Sequence, residues 1–244
     1  MTRNMINLFA GAGGCALGLQ RAGFTPYGVA EVDPFCRALL RQNFPTALDM
    51  GDVRDIRKQD SHDRISLISG GFPCQDISGA NRNGVGLHGP RSNLWFEQLR
   101  IIDEFEPDWV IGENVSALRS KGLDDLLRSL AAIGYDAEWH CIPASYLGAW
   151  HKRDRIWVLA YPNGERRPER CAQGPVLRQS DLSRSLTGVA ARWPGRSDLP
   201  SPRLLGSLDG VPDAAHRLKA IGNSCFTLIP EMIGRALIDH EVFL

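Results

Sequence analysis

The 244-residue sequence predicts an α/β fold: a mostly parallel sheet with helices on both faces. Three observations predict it. Strand-like and helix-like runs alternate through the first 160 residues, the order that builds parallel sheets through helical crossovers. The first apolar run, "MINLFA" (5–10), enters a glycine-rich turn, "GAGG" (11–14), and then a helical pattern. Hydrophobic residues make up 43% of the chain and charged residues 23%, an ordinary globular balance that can fill a core under such a sheet.

The elements follow in order. "CALGLQRAG" (15–23) has helical spacing and stops at Gly23, and "YGVAE" (27–31) reads as the second strand. Asp33 caps the next helix, with Pro34 at its first position and "FCRALLRQNF" as its body. "ISLISGG" (65–71) is a third strand, Ser92 caps "NLWFEQLRIIDEF", "DWVIGENV" (108–115) is a strand, and "LDDLLRSLAAIG" (123–134) is a helix stopped by glycine. "YDAEWHCIPA" and "RIWVLAY" read as two further strands. From Tyr161 to about 216 the chain becomes rich in Pro, Gly, Ser and Arg with little periodicity, either a disordered linker or a small irregular domain. Regular patterning returns in 217–244, where 225–239 reads as an apolar helix.

Bulk properties narrow the function classes. Residues 1–160 carry 17 Lys/Arg against 19 Asp/Glu, whereas 161–219 carry 10 against 6, so the basic excess sits in the least core-like segment. Six dispersed cysteines, without Cys-x-x-Cys or a His/Cys cluster, point to free thiols in a reducing compartment and to no metal site. No signal-peptide pattern and no apolar run of roughly 18 residues is present, so no membrane association is expected.

Chemistry-bearing stretches sit at the predicted strand ends. Gly11, Gly13 and Gly14 between strand and helix let a backbone approach a bound nucleotide, or simply permit a tight turn. Glu31, about 20 residues on, is spaced to bind a ribose. Asp52 in "GDVRD" either accepts from an exocyclic amine or caps locally. In "GGFPCQDIS" (70–78), Pro73 restricts the backbone directly before Cys74, which aims the thiol, and a long glycine-rich loop follows. Cys36 and Cys225 instead sit inside apolar periodic runs, as packing cysteines do. Glu113 ends a strand where burial makes a carboxyl a neutral acid, and Asn114 beside it can hold a loop, although any "EN" also reads as a cap and a surface acid. In "HKRDR" (151–155), alternation puts His151, Arg153 and Arg155 on one face, suited to a phosphate or a base carbonyl, or forms a solvated charge run.

The ordered series "FAGAGG", "EVD", "GDV", "GGFPCQDIS", "GPRSNLW", "IGENV", "HKRDR" and "AIGNS" resembles the motif series of the DNA cytosine-5 methyltransferases, over about 1–160 and 216–240. The resemblance implies a Rossmann-like S-adenosylmethionine-dependent methyltransferase fold. Residues 1–160 would form the catalytic and cofactor-binding domain, 161–216 a small target-recognition region, and 217–244 a closing helix. It implies that Cys74 adds covalently to C6 of a flipped cytosine in double-stranded DNA and that Glu113 contacts the ring N3 and amine. Asn114 would secure the Pro-Cys loop, Arg153 and Arg155 would bind phosphate and the base carbonyl, and Gln75 and Ser78 would border the substrate. For S-adenosyl-L-methionine it implies Phe9 at the adenine, Gly11, Ala12, Gly13 and Gly14 around the amino-acid tail, Glu31 and Val32 at the ribose, and Asp52 at the adenine amine. Pro73 and Leu94 would lie beside the methyl group, with Asn223 closing the pocket.

The chain departs from the family pattern in places. Asn7 stands where Asp is usual and Val32 where a bulky residue is usual, both expected to weaken cofactor binding, and His151 replaces the commoner glutamine. A recognition region of about 55 residues is minimal, which suggests few bases read or a partner subunit for an otherwise monomeric protein. Such compactness resembles bacteriophage-borne, DNA-protecting members acting in a prokaryotic cytoplasm. The alternatives are an RNA (tRNA) cytosine-5 methyltransferase and a catalytically silent DNA-binding protein of the same fold.

Overall fold

Apolar residues at alternating positions of each strand sort onto the two faces of one sheet. The protein's structure, a computed structural model, describes residues 2–58, 63–73, 94–149, 151–164, 177, 220 and 224–242. Strands β1 (Asn4–Leu8), β2 (Thr25–Ala30), β3 (Leu48–Gly51), β4 (Leu67–Gly70), β5 (Trp109–Val115), β6 (Tyr135–Pro143) and β7 (Asp154–Pro162) pair in the order β3-β2-β1-β4-β5-β7-β6. The first five are mutually parallel, and β7 runs antiparallel to both β5 and β6. From β1 the chain moves outward through β2 and β3, then returns to place β4 on the other side of β1. That reversal opens a crevice at the carboxyl ends of β1 and β4, where open α/β sheets bind ligands.

The helices are α1 (Gly14–Ala22), α2 (Pro34–Asn43), α3 (Leu94–Phe105), α4 (Leu123–Ala132) and α5 (Leu228–Val242). Met5, Leu67, Ile111 and Trp157 face one core with Leu19 of α1, Leu40 of α2 and Ile233 and Leu237 of α5. The intervening Ile6, Ile68, Val110 and Ile156 face the other, with Trp95 and Ile101 of α3 and Leu126 and Leu130 of α4. Burying each of the fully enclosed Ile6, Leu67 and Ile68 contributes about 1.5–3 kcal/mol.

Local signals explain most boundaries. Gly23 ends α1 at φ 116°, donating its N–H to the Leu19 and Gln20 carbonyls. The Asp33 carboxylate caps α2 through the Phe35 (3.0 Å) and Cys36 (3.2 Å) N–H groups, with Pro34 in the first turn as the sequence predicts. Gly18 lets α1 meet the α5 backbone: a Cβ there would press on the Thr227 carbonyl and lie 2.9 Å from the Glu231 N.

Three expectations change. Strand β3 is not legible in the sequence, because this short edge strand exposes Leu48 and Asp49 and carries no apolar alternation. The last helix begins at Leu228 rather than 225, with Pro230 in its first turn where no intrahelical N–H is needed. Strand β7 begins at Asp154, and Arg153 sits before it at φ 33°, so the predicted alternation of 151, 153 and 155 does not hold. The helix cap at Ser92 and nearly all of 161–216 lie outside the described residues.

Candidate active site

The crevice begins with a turn of unusual backbone. Past β1, Phe9 (φ 52°), Gly11 (φ 54°) and Gly13 (φ 86°) all adopt the left-handed region, which a phenylalanine rarely does. Glu31, just past β2, fastens this turn. Its Oε2 accepts from the Gly11 N–H (2.8 Å), and its Oε1 accepts from Val32 N (2.8 Å) and Asp33 N (2.9 Å). Oε2 keeps a lone pair for a further donor. The glycines differ in role. A Cβ on Gly13 would meet Phe44 at 2.7 Å and one on Gly14 the Cys225 carbonyl at 2.7 Å, whereas one on Gly11 would meet nothing within 4 Å. Gly14 is therefore required by packing, Gly13 by its φ and by packing together, and Gly11 by its φ alone. Ala12 is partly exposed between them, and Val32 is 62% exposed beside Glu31.

Asp52 follows β3 and caps the short turn Val53–Asp55, accepting from the Arg54 N–H and from the Arg54 Nε, each at 3.0 Å. That hydrogen bonding holds its carboxyl below the ordinary value. Of its two predicted readings, the cap is the one the structure displays.

On the other side of β1, Gly71–Pro73 leave the end of β4. Phe72 is buried against Trp95, ring centroids 5.4 Å apart. Asn114, 3% exposed, donates from Nδ2 to the Phe72 carbonyl (3.2 Å), and its Oδ1 accepts from Val115 N (2.8 Å). The side chain thus ties β5 to the loop that leads into Cys74. Glu113 points to the opposite face of β5, and its Oε1 meets Arg155 Nε at 3.0 Å. A Cβ on Gly71 would lie 2.9 Å from Glu113 Oε2, so glycine is what lets the carboxylate approach the loop. Burial raises the Glu113 carboxyl above its ordinary value, against the opposing pull of Arg155 and Arg153. Arg153 donates to the Ser224 carbonyl, and burial, with Arg155 beside it, lowers its pKa. The structure therefore brings Glu113, Arg153 and Arg155 together, but Arg153 reaches the segment before α5 instead of sharing a strand face with Arg155.

Asn7, Phe9, Gly71, Glu113 and the thiols of Cys15 and Cys225 line the cleft between these parts, whose volume is about 30 Å³. Hydrogen bonding to Cys15, with burial, raises the Cys225 thiol well above its ordinary value. Cys225, read from sequence as a packing residue within a helix, precedes α5 and borders the cleft. The role of Cys15 went unread, and nothing in a separation of this length signals the pair. Leu94 opens α3 and packs into the Trp95 side of the sheet, and Pro73 is half-buried at the loop. Cys74, Gln75, Ser78 and Asn223 lie outside the described residues.

Glycine turn, acidic strand end and switch-point cleft together define an α/β fold of the S-adenosylmethionine-dependent methyltransferase type. The chain belongs to the C-5 cytosine-specific DNA methylase family, whose model matches residues 3–187. It is 35% identical over 164 residues to the type II methyltransferase M2.BsuMI of Bacillus subtilis, covering 64% of this chain and 41% of that protein. Against M.NgoPII of Neisseria gonorrhoeae the identity is 34%, with 64% and 47% covered. The chain thus spans less than half the length of these relatives. Among solved structures, a DNA modification methyltransferase encoded within an E. coli prophage matches at TM-score 0.54 and 26% identity, over 66% of this chain and 47% of that one. The Dnmt2 methyltransferase of S. pombe shares the fold at TM-score 0.54 and 19% identity, over 66% and 51%.

Proposed function

We propose that the protein transfers a methyl group to C5 of cytosine in double-stranded DNA, using S-adenosylmethionine and a covalent adduct on Cys74. The observation that carries this reading is the arrangement on β5. Neighbouring residues send one side chain, Asn114, to hold the loop that leads into Cys74, and the other, Glu113, into the cleft as a buried acid paired with Arg155.

Asn114 and Pro73 set the direction of the thiol. The Cys74 thiolate forms a bond to C6 of the cytosine, and Glu113, whose hold on a proton burial strengthens, hydrogen-bonds N3 and favours the addition. Arg155 orients the Glu113 carboxyl. Once C5 carries the methyl group, its proton passes to water and the C5–H electron pair restores the C5=C6 bond as the C6–S bond breaks, which returns the Cys74 thiolate. A target atom within the duplex is out of reach, so the base is flipped into the cleft.

The residues of the glycine turn fit the cofactor. Gly11 borders open space, Glu31 retains an acceptor site beside it, and Asn7 has a buried oxygen without a partner. When bound, S-adenosylmethionine supplies an electrophilic methyl group. Phe9, Ala12, Gly13, Gly14, Val32, Leu94 and Asn223 would complete its surroundings, and Asp52 would reach the adenine amine by sharing its carboxylate with Arg54. Gln75, Ser78 and Arg153 would border the DNA.

The close packing of α5 on α1 supports assigning 217–244 to the catalytic domain with 1–160, leaving 161–216 as the target-recognition region. The shortness of the segment 161–216 supports either limited base readout or a partner subunit that supplies more. Bacterial relatives, and no helix among the described residues long and apolar enough to cross a membrane, support a place in the prokaryotic cytoplasm.

The test is methyl transfer from labelled S-adenosylmethionine to duplex DNA by wild type and Cys74→Ser, with 5-fluorocytosine DNA as a trap. Transfer and a trapped complex in wild type only are expected. Transfer that survives the substitution would overturn the thiol mechanism, and transfer to tRNA in preference to duplex DNA would overturn the substrate.

A further inference from the structure

Two cysteines meet at the cleft without a part in the chemistry assigned above. Cys15 lies in the first turn of α1, Cys225 lies in the segment just before α5, and both border the cleft. Their backbones are closely packed: a Cβ on Gly14, beside Cys15, would stand 2.7 Å from the Cys225 carbonyl oxygen. The Cys225 thiol hydrogen-bonds Cys15, so the side chains touch as well. A disulfide asks for little more, with Cα atoms about 5.5–6 Å apart and the sulfurs drawn to about 2 Å. Both residues are partly exposed, which admits a small reagent. The other free thiols among the described residues lack this setting. Cys36 is buried on α2, Cys141 packs against the opposite core, and neither borders the cleft.

The pair also joins two walls of the cleft. One wall is the start of α1, directly after the glycine turn. The other is the segment before α5, whose Ser224 carbonyl accepts from Arg153. The cleft volume is about 30 Å³. That is space for about two waters, so a larger ligand enters only as the walls part. A covalent bond between Cys15 and Cys225 prevents that parting.

We propose that Cys15 and Cys225 form a reversible disulfide with a low-molecular-weight disulfide as oxidant, and that the bond shuts the cleft to the cofactor. The effect on the cofactor rests on the cofactor reading proposed above, whereas formation of the bond does not. Burial and the hydrogen bond to Cys15 hold the proton on Cys225, so the first attack falls to Cys15. Its thiolate bonds to one sulfur of the small disulfide and releases the other as a thiolate. Cys225 then gives its proton to water and attacks the Cys15 sulfur, and the second small thiolate leaves. Two cysteine thiols are oxidised and one disulfide is reduced to two thiols. A small thiol in excess runs the exchange backward, as suits a transient disulfide in a reducing compartment.

The experiment uses the full chain carrying Cys74→Ser, which keeps the proposed nucleophile out of the exchange, alone and combined with Cys15→Ser or Cys225→Ser. Each protein is incubated with glutathione disulfide. Peptide mass mapping without reduction locates the disulfides, and calorimetry gives the Kd of S-adenosylhomocysteine before oxidation, after it, and after dithiothreitol. Peptides joined through Cys15 and Cys225 are expected, with binding weakened about tenfold or more and restored by dithiothreitol. Neither added serine variant should respond to the oxidant, and one of them suffices if the other does not fold. Glutathione adducts alone, or a disulfide elsewhere, overturn the pair. A Cys15–Cys225 disulfide that leaves the affinity within about threefold overturns its control of the cleft. A reduced protein that does not bind S-adenosylhomocysteine overturns the cofactor reading instead, and the peptide map then still decides the disulfide.

Discussion

Replacing Asn114 by alanine removes a side chain that joins β5 to the loop leading into Cys74. Two hydrogen bonds go, at 3.2 Å to the Phe72 carbonyl and 2.8 Å from Val115 N, each with a net contribution of about 1 kcal/mol. The site is 3% exposed, so water reaches the stranded groups poorly, and an unsatisfied buried group costs about 1–3 kcal/mol. Together these predict a loss of about 3–5 kcal/mol. Urea unfolding followed by tryptophan fluorescence measures it, and six tryptophans provide the signal. Asn114→Asp keeps an acceptor for Val115 N but turns an oxygen toward the Phe72 carbonyl, so at pH 8 it should be no more stable than the alanine variant. Because the side chain positions a loop, kcat should fall while affinity for S-adenosylhomocysteine stays within about threefold. A loss below about 0.5 kcal/mol for Asn114→Ala, or an aspartate variant as stable as wild type, would refute the account of the loop anchor.

Three further expectations concern the site and the helix behind it. Burial raises the Glu113 carboxyl, so the folded chain binds that proton more tightly than the unfolded chain does; its contribution to stability is complete below the ordinary carboxylate range and is lost as pH climbs through the raised value. Urea midpoints of Glu113→Gln between about pH 4 and pH 8 should therefore decline less with pH than those of wild type, and parallel curves would contradict the shift. The same variant should lower kcat by about 10²-fold or more, the usual range for a group managing a proton, and a loss under about threefold in a methyl-transfer assay removes Glu113 from the chemistry. Gly18→Ala gains about 1 kcal/mol of helix propensity but presses a methyl group on the Thr227 carbonyl and the Glu231 N; overpacking of about 1–3 kcal/mol should prevail and lower Tm by a few degrees, whereas a raised Tm would show that α5 can shift.

Legibility followed the range of each interaction. The caps at Asp33 and Gly23, the glycine turn and the continuous apolar runs of β4, β5 and β7 are local, and their residues announce them. Edge strand β3 was hidden because half-exposed residues need no pattern. The onset of α5 was misplaced because Cys225 and Phe226 are apolar for another reason: Cys225 lines the cleft and Phe226 packs against the core ahead of the helix. Arg153 follows the same logic. Alternation assumes an extended backbone, and the left-handed conformation at φ 33° redirects the side chain to Ser224.

By itself, the sequence determined the fold class, the order of its motifs and which residue types stand at the strand ends, because these depend on periodicity and on neighbours a few positions apart. Only the tertiary structure decided which of them meet. It showed that Gly13 and Gly14 serve packing while Gly11 borders open space, and that Asp52 is held by Arg54. It placed Asn114 and Glu113 on opposite faces of β5, and left one buried oxygen of Asn7 without a partner. Those facts depend on distances between residues remote in the chain. Such distances come from how strands order themselves across a sheet, which no local pattern of residues specifies.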